Sequence, residues 1–337
     1  MMGIRKLNNT FLFVGLIILT LFFFLIDLGV GSVSIPISEI CKALFRRDID
    51  PVIQSIIIDI RLNKAIVALM CGSALSVSGL QMQTLFRNPL AGPYVLGISS
   101  GASLGVALFI LGMPLLGISS VLFSIGLAGA AWIGAALILI IISIVSYRLK
   151  DIMVVLILGM MFSSGVSAIV QILQYLSDDE ALKSYVIWTM GSLGDVQGPE
   201  LFILVLAVAG GLILAVIAIK PLNQLLLGEE YARTMGLNVR RSRGLLFFST
   251  TLLAGTVTAF CGPIGFIGMA IPHVTRNLFS NSDHRILVPA NILTGALILI
   301  VCDILSKSFL LPVNAITALL GIPVIIFIVL RNNAFSI

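Results

Sequence analysis

The sequence predicts an all-α polytopic membrane protein with about ten transmembrane helices joined by short loops. Of its 337 residues, 59% are hydrophobic and only 10% are charged, whereas soluble proteins are about 45–50% apolar and about 25% charged. The apolar residues form long, non-alternating runs, enough for about ten spans of roughly 20 residues each. This composition excludes a soluble enzyme, a disordered chain and an outer-membrane barrel, whose strands alternate apolar with polar residues.

Uncharged stretches predict the first four spans. Residues 7–26 follow two basic residues and predict the first span, since a signal peptide, the alternative, has an apolar core of only about 7–15 residues. Residues 32–60 are more polar and predict an outer loop with one or two short surface helices, and residues 65–86 are the second span. The uncharged stretch 88–147 is long enough for two helices with a turn at Gly112-Met113-Pro114.

The next part of the chain predicts spans five to seven between polar connections. Residues 152–176 are the fifth span, and the mixed segment 185–198 is interpreted as a partial or re-entrant helix. Residues 201–219 are the sixth span, residues 221–243 form a polar connection, and residues 244–262 are the seventh span.

The last three spans include an irregular one. The apolar run after the seventh span is interrupted at residues 262–265 (Gly-Pro-Ile-Gly) and again at Pro272, which predicts a broken eighth span. Such a break is tolerated in a membrane where it packs against protein or lines a water-filled cavity. Residues 286–307 and 315–330 are the ninth and tenth spans.

The distribution of charge predicts the orientation. With ten spans, both termini lie on the same side, and 13 of the 20 lysine and arginine residues fall on that side. Because basic residues are enriched on the cytoplasmic side, the sequence predicts that both termini are cytoplasmic (N-in, C-in). The whole chain, residues 1–337, is interpreted as a single transmembrane domain.

No catalytic or cofactor motif accompanies these spans. The sequence has no phosphate-binding GxxxxGK[ST] loop, no HExxH and no GxSxG, so we expect neither an enzyme nor a bound cofactor. His273 and His284 are eleven residues apart and no two of the four cysteines have CxxC spacing, which argues against a metal site or a disulfide framework. Basic residues are scattered at the ends of apolar runs, so no nucleic-acid partner is expected.

Energy for transport would therefore come from a partner. Ion-coupled carriers keep carboxylates or histidines at mid-membrane, whereas Asp27 and Asp303 lie near the predicted outer ends of spans one and nine. An ion-coupled secondary transporter is the alternative function. A membrane scaffold or receptor is a third, which the short loops disfavour.

Several segments together resemble a known family. They are residues 79–93 (GLQMQTLFRNPLAGP), 96–102 (LGISSGA), 227–237 (LGEEYARTMGL) and 262–268 (GPIGFIG) with Pro272-His273, followed by Asp283-His284-Arg285, Asp303, Pro312-Val313 and Thr317-Ala318. From about residue 12 to 330 the chain resembles the type II ABC importer permeases, the family that imports iron–siderophores, haem and vitamin B12 (cobalamin).

This resemblance implies partners and a cargo. It implies a homodimer of ten-helix subunits in the bacterial inner (cytoplasmic) membrane, with two ATP-binding cassette ATPase subunits below and a periplasmic substrate-binding protein above. The cargo would pass along the dimer interface. It is expected to be a metal chelate, with a ferric siderophore first and cobalamin or haem next.

The resemblance also assigns roles to cations near the outer face. Arg61, Lys64 and Lys307 match positions that dock the binding protein, whereas their residue types alone are equally typical of cations that anchor helix ends at the lipid headgroups. Asn63 and Lys64 depart from the family's Arg-x-Pro-Arg, Lys307 stands where Arg is usual, and Asn314 departs from a run that ends in Gly. Because Lys lacks the bidentate fork of Arg, the docking geometry is open.

Two further groups are candidate sites. Within residues 221–243 the resemblance implies a coupling helix for the ATPase, the alternative being a solvated loop; its residues are Gly228, Glu229, Glu230, Ala232, Arg233 and Gly236. Span three is small and polar on one side, either for close helix packing or to line the pathway; its candidates are Gly97, Ser99, Ser100 and Ser103. By the resemblance, Asp151 and Ile152, where spans four and five meet, are gate candidates.

Overall fold

A computed structural model describes residues 9–31, 35–44, 50–112, 126–149 and 151–333. Within these ranges the long regular elements are all helices. They are α1 (Asn9–Gly29), α2 (Ile37–Leu44), α3 (Pro51–Leu85), α4 (Ile98–Gly112), α5 (Gly126–Arg148), α6 (Ile152–Leu176), α7 (Asp179–Thr189), α8 (Gly198–Ile217), α9 (Ile219–Leu225), α10 (Glu229–Thr234), α11 (Val239–Cys261), α12 (Ile267–Phe279), α13 (His284–Phe309) and α14 (Val313–Asn333).

The predicted class, an all-helical polytopic membrane protein, is confirmed. Among the described residues, seven helices are long and apolar enough to cross a membrane, namely α1, α3, α5, α6, α8, α11 and α13. The other three predicted spans correspond to shorter helices: α4 and α14 each contain an apolar helix of 10–17 residues, and α12 has 13 residues. Beyond Gly112, the predicted turn at residues 112–114 lies outside the described residues.

Helix α3 begins inside the segment that the sequence predicted as a loop. The Asp50 carboxylate accepts a hydrogen bond from the backbone N–H of Val52 (2.8 Å), and Pro51 occupies the first turn, where its missing N–H does no harm. A π-helical stretch, Ile56–Leu62, then continues into Asn63–Leu85. The sequence predicted a loop with one or two short surface helices over residues 32–60. The structure has α2 there, but from Pro51 onward the helix is continuous with the second span, because Asp50 and Pro51 start it before the apolar run begins.

The polar stretch before the predicted re-entrant segment forms helix α7. The Asp178 side chain caps it by accepting the N–H of Ala181 (2.8 Å), and two acidic residues follow in the first turn, where the helix dipole favours them. The predicted segment 185–198 therefore contains the end of α7 and then non-helical backbone. There the N–H of Ser192 donates to the carbonyl of Cys261 (2.9 Å), which ties this segment to the end of α11.

The break between α11 and α12 lies where the sequence predicted it, at residues 262–265, and Gly262 has a positive φ of +72°. The predicted second break at Pro272 is wrong, because α12 runs through this residue without interruption. Pro272 has no N–H to give to the carbonyl of Gly268, four residues earlier. That carbonyl lies against Gly79 of α3, so the missing donor coincides with a contact between helices.

Helix α3 lies at the centre of the fold. Its most apolar window is 83% buried, against 22% for the corresponding windows of α1, α5, α6 and α8. A Cβ atom added at Gly72 would lie 2.2 Å from the carbonyl oxygen of Gly295 in α13, and one added at Gly79 would lie 1.7 Å from that of Gly268 in α12. Since lipid supplies no hydrophobic force between helices, membrane helices associate through such close packing.

The substitution Gly79→Ala should destabilise the folded chain by about 1–3 kcal/mol or more, because the added methyl group meets backbone that cannot rotate away. We expect a lower melting temperature in detergent. Gly15→Ala in α1 is the matched control, since nothing lies within 4 Å of a Cβ at that position. Equal melting temperatures for the two variants would contradict the close contact between α3 and α12.

Candidate functional site

Two buried carboxylates and two lysines form an ion cluster where the C-terminal ends of α1 and α13 meet the first half of α3. Lys307 Nζ lies 2.8 Å from Asp27 Oδ1 and 2.8 Å from Asp303 Oδ2, and Lys64 Nζ lies 3.0 Å from Asp303 Oδ1. Both carboxylates are fully buried, whereas the Lys64 side chain keeps 23% of its exposure. Because a buried charge without a partner is costly, this ion cluster (Asp27, Lys64, Asp303, Lys307) holds the three helices together.

Arg61 lies beside the ion cluster and closes the end of α1. Its Nη1 donates to the carbonyls of Leu28 (2.8 Å) and Gly29 (2.9 Å), which belong to the last turn of α1 and have no partner within the helix. The side chain is buried. Each of the three predicted docking residues, Arg61, Lys64 and Lys307, therefore has a partner within the chain.

The acidic half of the ion cluster was missed by reasoning from the sequence. Asp27 and Asp303 were placed near the ends of spans one and nine, but they were not paired with Lys64 and Lys307. The spacing of Asp303 and Lys307, four residues apart on one helix, was the available indication. Asn314, which departs from the family pattern, also has a partner in the chain: its Oδ1 accepts the N–H of Gly265 (3.0 Å) in the break before α12.

The polar connection 221–243 folds into α9 and α10 before α11 begins at Val239. Gly228 (φ +103°) and Gly236 (φ +83°) flank α10 in a backbone region that favours glycine. Ala232 is fully buried within the chain. Its small side chain therefore packs in the chain's own core.

Exposed apolar side chains in and beside α10 were also missed by reasoning from the sequence, which selected the glycines and charges. Leu227, Tyr231 and Met235 are 58%, 56% and 49% exposed. The N–H of Met235 donates to the carbonyl of Tyr231 (3.1 Å), so these two side chains lie one helical turn apart and form an apolar patch (Tyr231, Met235) within a polar connection. Exposed patches of this kind mark sites of contact with other proteins, and the spacing is visible in the sequence.

Arg243 links α10 to the connection between α5 and α6. Its Nε donates to Glu229 Oε1 (2.8 Å) and its Nη2 to Glu229 Oε2 (2.5 Å), a bidentate pair. Its Nη1 donates to the carbonyl of Leu149 (3.1 Å), two residues before Asp151. One buried side chain thus joins the start of α10 to the candidate gate. The position of an arginine in the second turn of α11 was the available indication in the sequence.

The small residues of span three serve close packing at two positions. A Cβ atom added at Gly101 would lie 2.6 Å from the carbonyl oxygen of Gly134 in α5, and one added at Gly105 would lie 2.1 Å from that of Ala130. Gly97 has a positive φ of +76° at the start of α4. The serines at 99, 100 and 103 are half-buried, so the packing alternative accounts for the glycines and leaves the serines as pathway candidates.

The gate candidates lie at the start of α6. Asp151 is exposed and caps the helix, since its carboxylate accepts the N–H of Met153 (2.9 Å). Ile152 is buried and packs in the core cluster that also contains Leu246 and Phe247 of α11. The two neighbouring residues thus have different roles in the fold, one at the surface and one in the core.

A polar network joins the ends of α3, α9 and α13. Thr84 Oγ1 lies 2.8 Å from His284 Nε2, and His284 Nδ1 lies 2.7 Å from Asn223 Oδ1. His273 Nε2 lies 2.6 Å from the carbonyl oxygen of Pro89. Both histidines therefore have hydrogen-bond partners, and the described part of the chain holds no group of three His, Cys, Asp or Glu side chains suited to a metal ion.

Asp283 completes this network at the start of α13. Its carboxylate accepts the backbone N–H of Arg285 (2.8 Å) and the side-chain N–H of Asn223 (2.6 Å). These hydrogen bonds to the ionised form hold the pKa of Asp283 below its ordinary value. The cap therefore stays ionised at neutral pH.

Comparisons with known proteins agree over nearly the whole chain. Residues 19–331 match the model of the FecCD transport family. The chain is 35% identical over 315 residues to the hemin transport system permease protein HmuU of Yersinia pestis, covering 92% of this chain and 93% of that protein. It is 37% identical over 324 residues to the vitamin B12 import system permease protein BtuC of Klebsiella pneumoniae, covering 95% and 93%.

A solved structure extends this agreement to the fold. An inward-facing structure of a metal-chelate type ABC transporter superposes with a TM-score of 0.83 at 30% sequence identity, covering 95% of this chain and 99% of that chain. The helices described above are therefore arranged as in that transporter.

Removing one cation from the ion cluster should strongly destabilise the fold. Lys307→Met leaves the two buried carboxylates with Lys64 as their one remaining lysine. Because one carboxylate then lacks a compensating charge, the free energy of unfolding should fall by about 3–5 kcal/mol. The double variant Lys307→Met/Asp27→Asn removes one charge of each sign and should recover much of that loss. Melting temperatures in detergent measure both, with Lys183→Met on the exposed face of α7 as the control. If the double variant is no more stable than Lys307→Met, the two residues are not energetically coupled.

Proposed function

Since the chain belongs to the FecCD transport family, we propose that it is the membrane-spanning permease subunit of an ATP-driven importer of metal chelates. The family match over residues 19–331 carries this proposal. The hemin and vitamin B12 permeases have nearly equal identity to the chain, 35% and 37%, so identity does not choose a cargo. Among metal chelates we propose a ferric siderophore first, with cobalamin or haem next.

The proposed topology has ten spans in a bacterial inner membrane, with both termini in the cytoplasm. The seven long apolar helices would be joined as spans by α4, α12 and α14. Short spans are acceptable where they pack within protein, and α12 fits this condition because it lies against the central helix α3. The excess of basic residues on the side of the termini supports the orientation.

The chain is proposed to act as a homodimer with the cargo pathway between its two copies. Helix α6 supports this in two ways. Its apolar window is only 22% buried within the chain, and its exposed residues include small ones such as Ser164 and Gly165. Exposed small residues suit the approach of another helix or of a bulky cargo. Ser99, Ser100 and Ser103 are the proposed pathway residues from α4, and Asp151 with Ile152 the proposed gate.

Energy would enter through α10, the proposed contact with an ATP-binding cassette ATPase. The apolar patch supports this role because it lies on a polar connection outside the spans, where no lipid would cover it. Glu229 and Arg233 flank it, and Glu230 is exposed beside it. Through Arg243, a displacement of α10 would act on the α5–α6 connection. The chain itself would hydrolyse no ATP and would need no cofactor.

The double variant Tyr231→Glu/Met235→Glu should abolish co-purification of the ATPase and ATP-dependent uptake into vesicles. Charge at the centre of an apolar contact removes the favourable burial and leaves an unpaired charge. The variant should still insert and fold, because both side chains are exposed. Retention of the ATPase at wild-type stoichiometry would contradict the assignment.

A matched control is the same substitution at an exposed aromatic residue elsewhere. Tyr175→Glu, at the far end of α6, changes a side chain that is 89% exposed. It should leave the amount of co-purified ATPase unchanged.

Uptake driven by an ion gradient without any ATPase would contradict the proposed function itself.

The opposite face is proposed to dock the binding protein near Arg61, Lys64 and Lys307. Of these, Lys64 has the most accessible charge, since Arg61 is 5% exposed and the side chains of Lys64 and Lys307 are 23% and 9% exposed. Complementary charges at a rim mainly change the association rate and its dependence on salt. Lys64 is therefore the proposed contact, held in place by Asp303.

Lys64→Gln should lower the affinity of the binding protein at low salt and reduce its salt dependence. Because this change also breaks the pair with Asp303, Asp303→Asn is the control: it breaks that pair, and the pair with Lys307 as well, but keeps the charge of Lys64. Binding assays on reconstituted protein should show a loss for Lys64→Gln that exceeds the loss for Asp303→Asn. Equal losses would make the effect structural and remove Lys64 from the docking surface.

A further inference from the structure

A groove between α5 and α11 has two parts of different chemistry. Its apolar part is a cavity of about 110 Å³; the walls include Trp132, Ala136 and Leu139 of α5 and Phe248, Leu252 and Gly255 of α11. Its polar part, nearer the start of α11, is a cavity of about 200 Å³; the walls are Ser143, Ser146, Arg240, Arg243, Gly244 and Phe247. A water molecule needs only about 10–15 Å³, so the polar part has room for a larger group.

The two cavities follow one continuous pair of helix faces. Along α5 the lining residues 132, 136, 139, 143 and 146 recur every three or four positions. Along α11 the lining residues 240, 244, 248, 252 and 255 do the same. Because residues at this spacing lie on one face of a helix, the polar cavity and the apolar cavity lie in line along the same pair of helix faces.

The length of the groove matches one leaflet of a bilayer. From residue 240 to residue 255 is about 22 Å at 1.5 Å per residue. A bilayer is about 40–45 Å thick with its headgroup regions, so one leaflet is about 20–22 Å. A molecule that fills the groove therefore has a polar end and an apolar tail, and it is as long as a membrane lipid.

The charge of the polar end favours an anionic headgroup. Arg243 forms an ion pair with Glu229, and Arg240 adds a second guanidinium to the cavity wall. A guanidinium has five N–H donors, which lets Arg240 bind a phosphate while it keeps another partner. Ser143 and Ser146 add hydroxyl groups to the same cavity. Basic pockets between helices on the cytoplasmic side suit anionic lipid headgroups.

We propose that this groove is a binding site for one anionic phospholipid of the cytoplasmic leaflet. The phosphate lies in the polar cavity against Arg240, and an acyl chain lies along the apolar cavity between Trp132 and Phe248. The choice of leaflet rests on the proposed orientation of the permease. The binding itself needs neither cargo nor ATPase, so its failure is distinguishable from failure of the transport function.

Fluorescence quenching of Trp132 tests the site in the full chain. The sequence has two tryptophans, so Trp188→Phe leaves Trp132 as the single reporter. In phosphatidylcholine vesicles, titration with phosphatidylglycerol that carries brominated acyl chains should quench Trp132 more strongly than brominated phosphatidylcholine does at equal mole fraction. Arg240→Gln should weaken the preference about fivefold, the contribution of one basic residue near the headgroups.

Two neighbouring substitutions serve as controls. Arg241→Gln removes the same charge one residue away, outside the cavity wall, and should leave the preference unchanged. Ala136→Phe fills the apolar cavity and should abolish the preference, whereas Leu137→Phe, on the adjacent exposed face of α5, should not.

Equal quenching by the two lipids, unaffected by Arg240→Gln, would overturn the proposal and make the groove ordinary lipid-facing surface. Absence of quenching by either lipid would also overturn it. In that case cysteine cross-linking between copies at position 132 would identify a second copy of the chain as the occupant.

Discussion

The direct backbone contact of α3 with its neighbours is the constraint on which the rest of the structure depends. Gly72 meets Gly295 of α13, and Gly79 meets Gly268 of α12, with no space for a Cβ atom at either crossing. In lipid, two helices gain nothing from burying leucine against leucine, so closeness of approach decides which helices associate. A central helix with glycines two turns apart on one face can therefore bring two neighbouring helices into contact at different heights.

The polar side chains of α3 make this arrangement specific. Gln81 donates to Ser249 (2.9 Å) and accepts from Thr250 (2.8 Å) of α11, and Ser76 donates to Asn291 of α13 (2.8 Å). Because an unsatisfied polar group in a dry interior costs about 1–3 kcal/mol, each of these residues disfavours any register in which its partner is displaced. Glycines permit the contact and polar residues fix its alignment.

Apolar runs and capping residues predicted most of the helices, because burial in lipid is decided by local composition. The length of α3 was underestimated, because Asp50 and Pro51 begin the helix within polar sequence. The disruption at Pro272 was overestimated, because the carbonyl of Gly268, which Pro272 cannot bond, lies against Gly79 of α3. The partners of the predicted site residues within the chain were not predictable. Lys64 and Asp303 are far apart in sequence, and only the fold brings them within 3.0 Å.

The two ends of the bundle are restrained differently, and this difference bears on the proposed transport. At one end the ion cluster fixes α1, α3 and α13 to one another through buried charges. At the other end the Arg243 pair with Glu229 connects α10 to the carbonyl of Leu149, beside α5 and α6, whose most apolar windows are only 22% buried. A force applied at α10 would thus reach the α5–α6 connection before the central helix α3. In the proposed function, the pathway can change shape there while α3 and its neighbours stay in place.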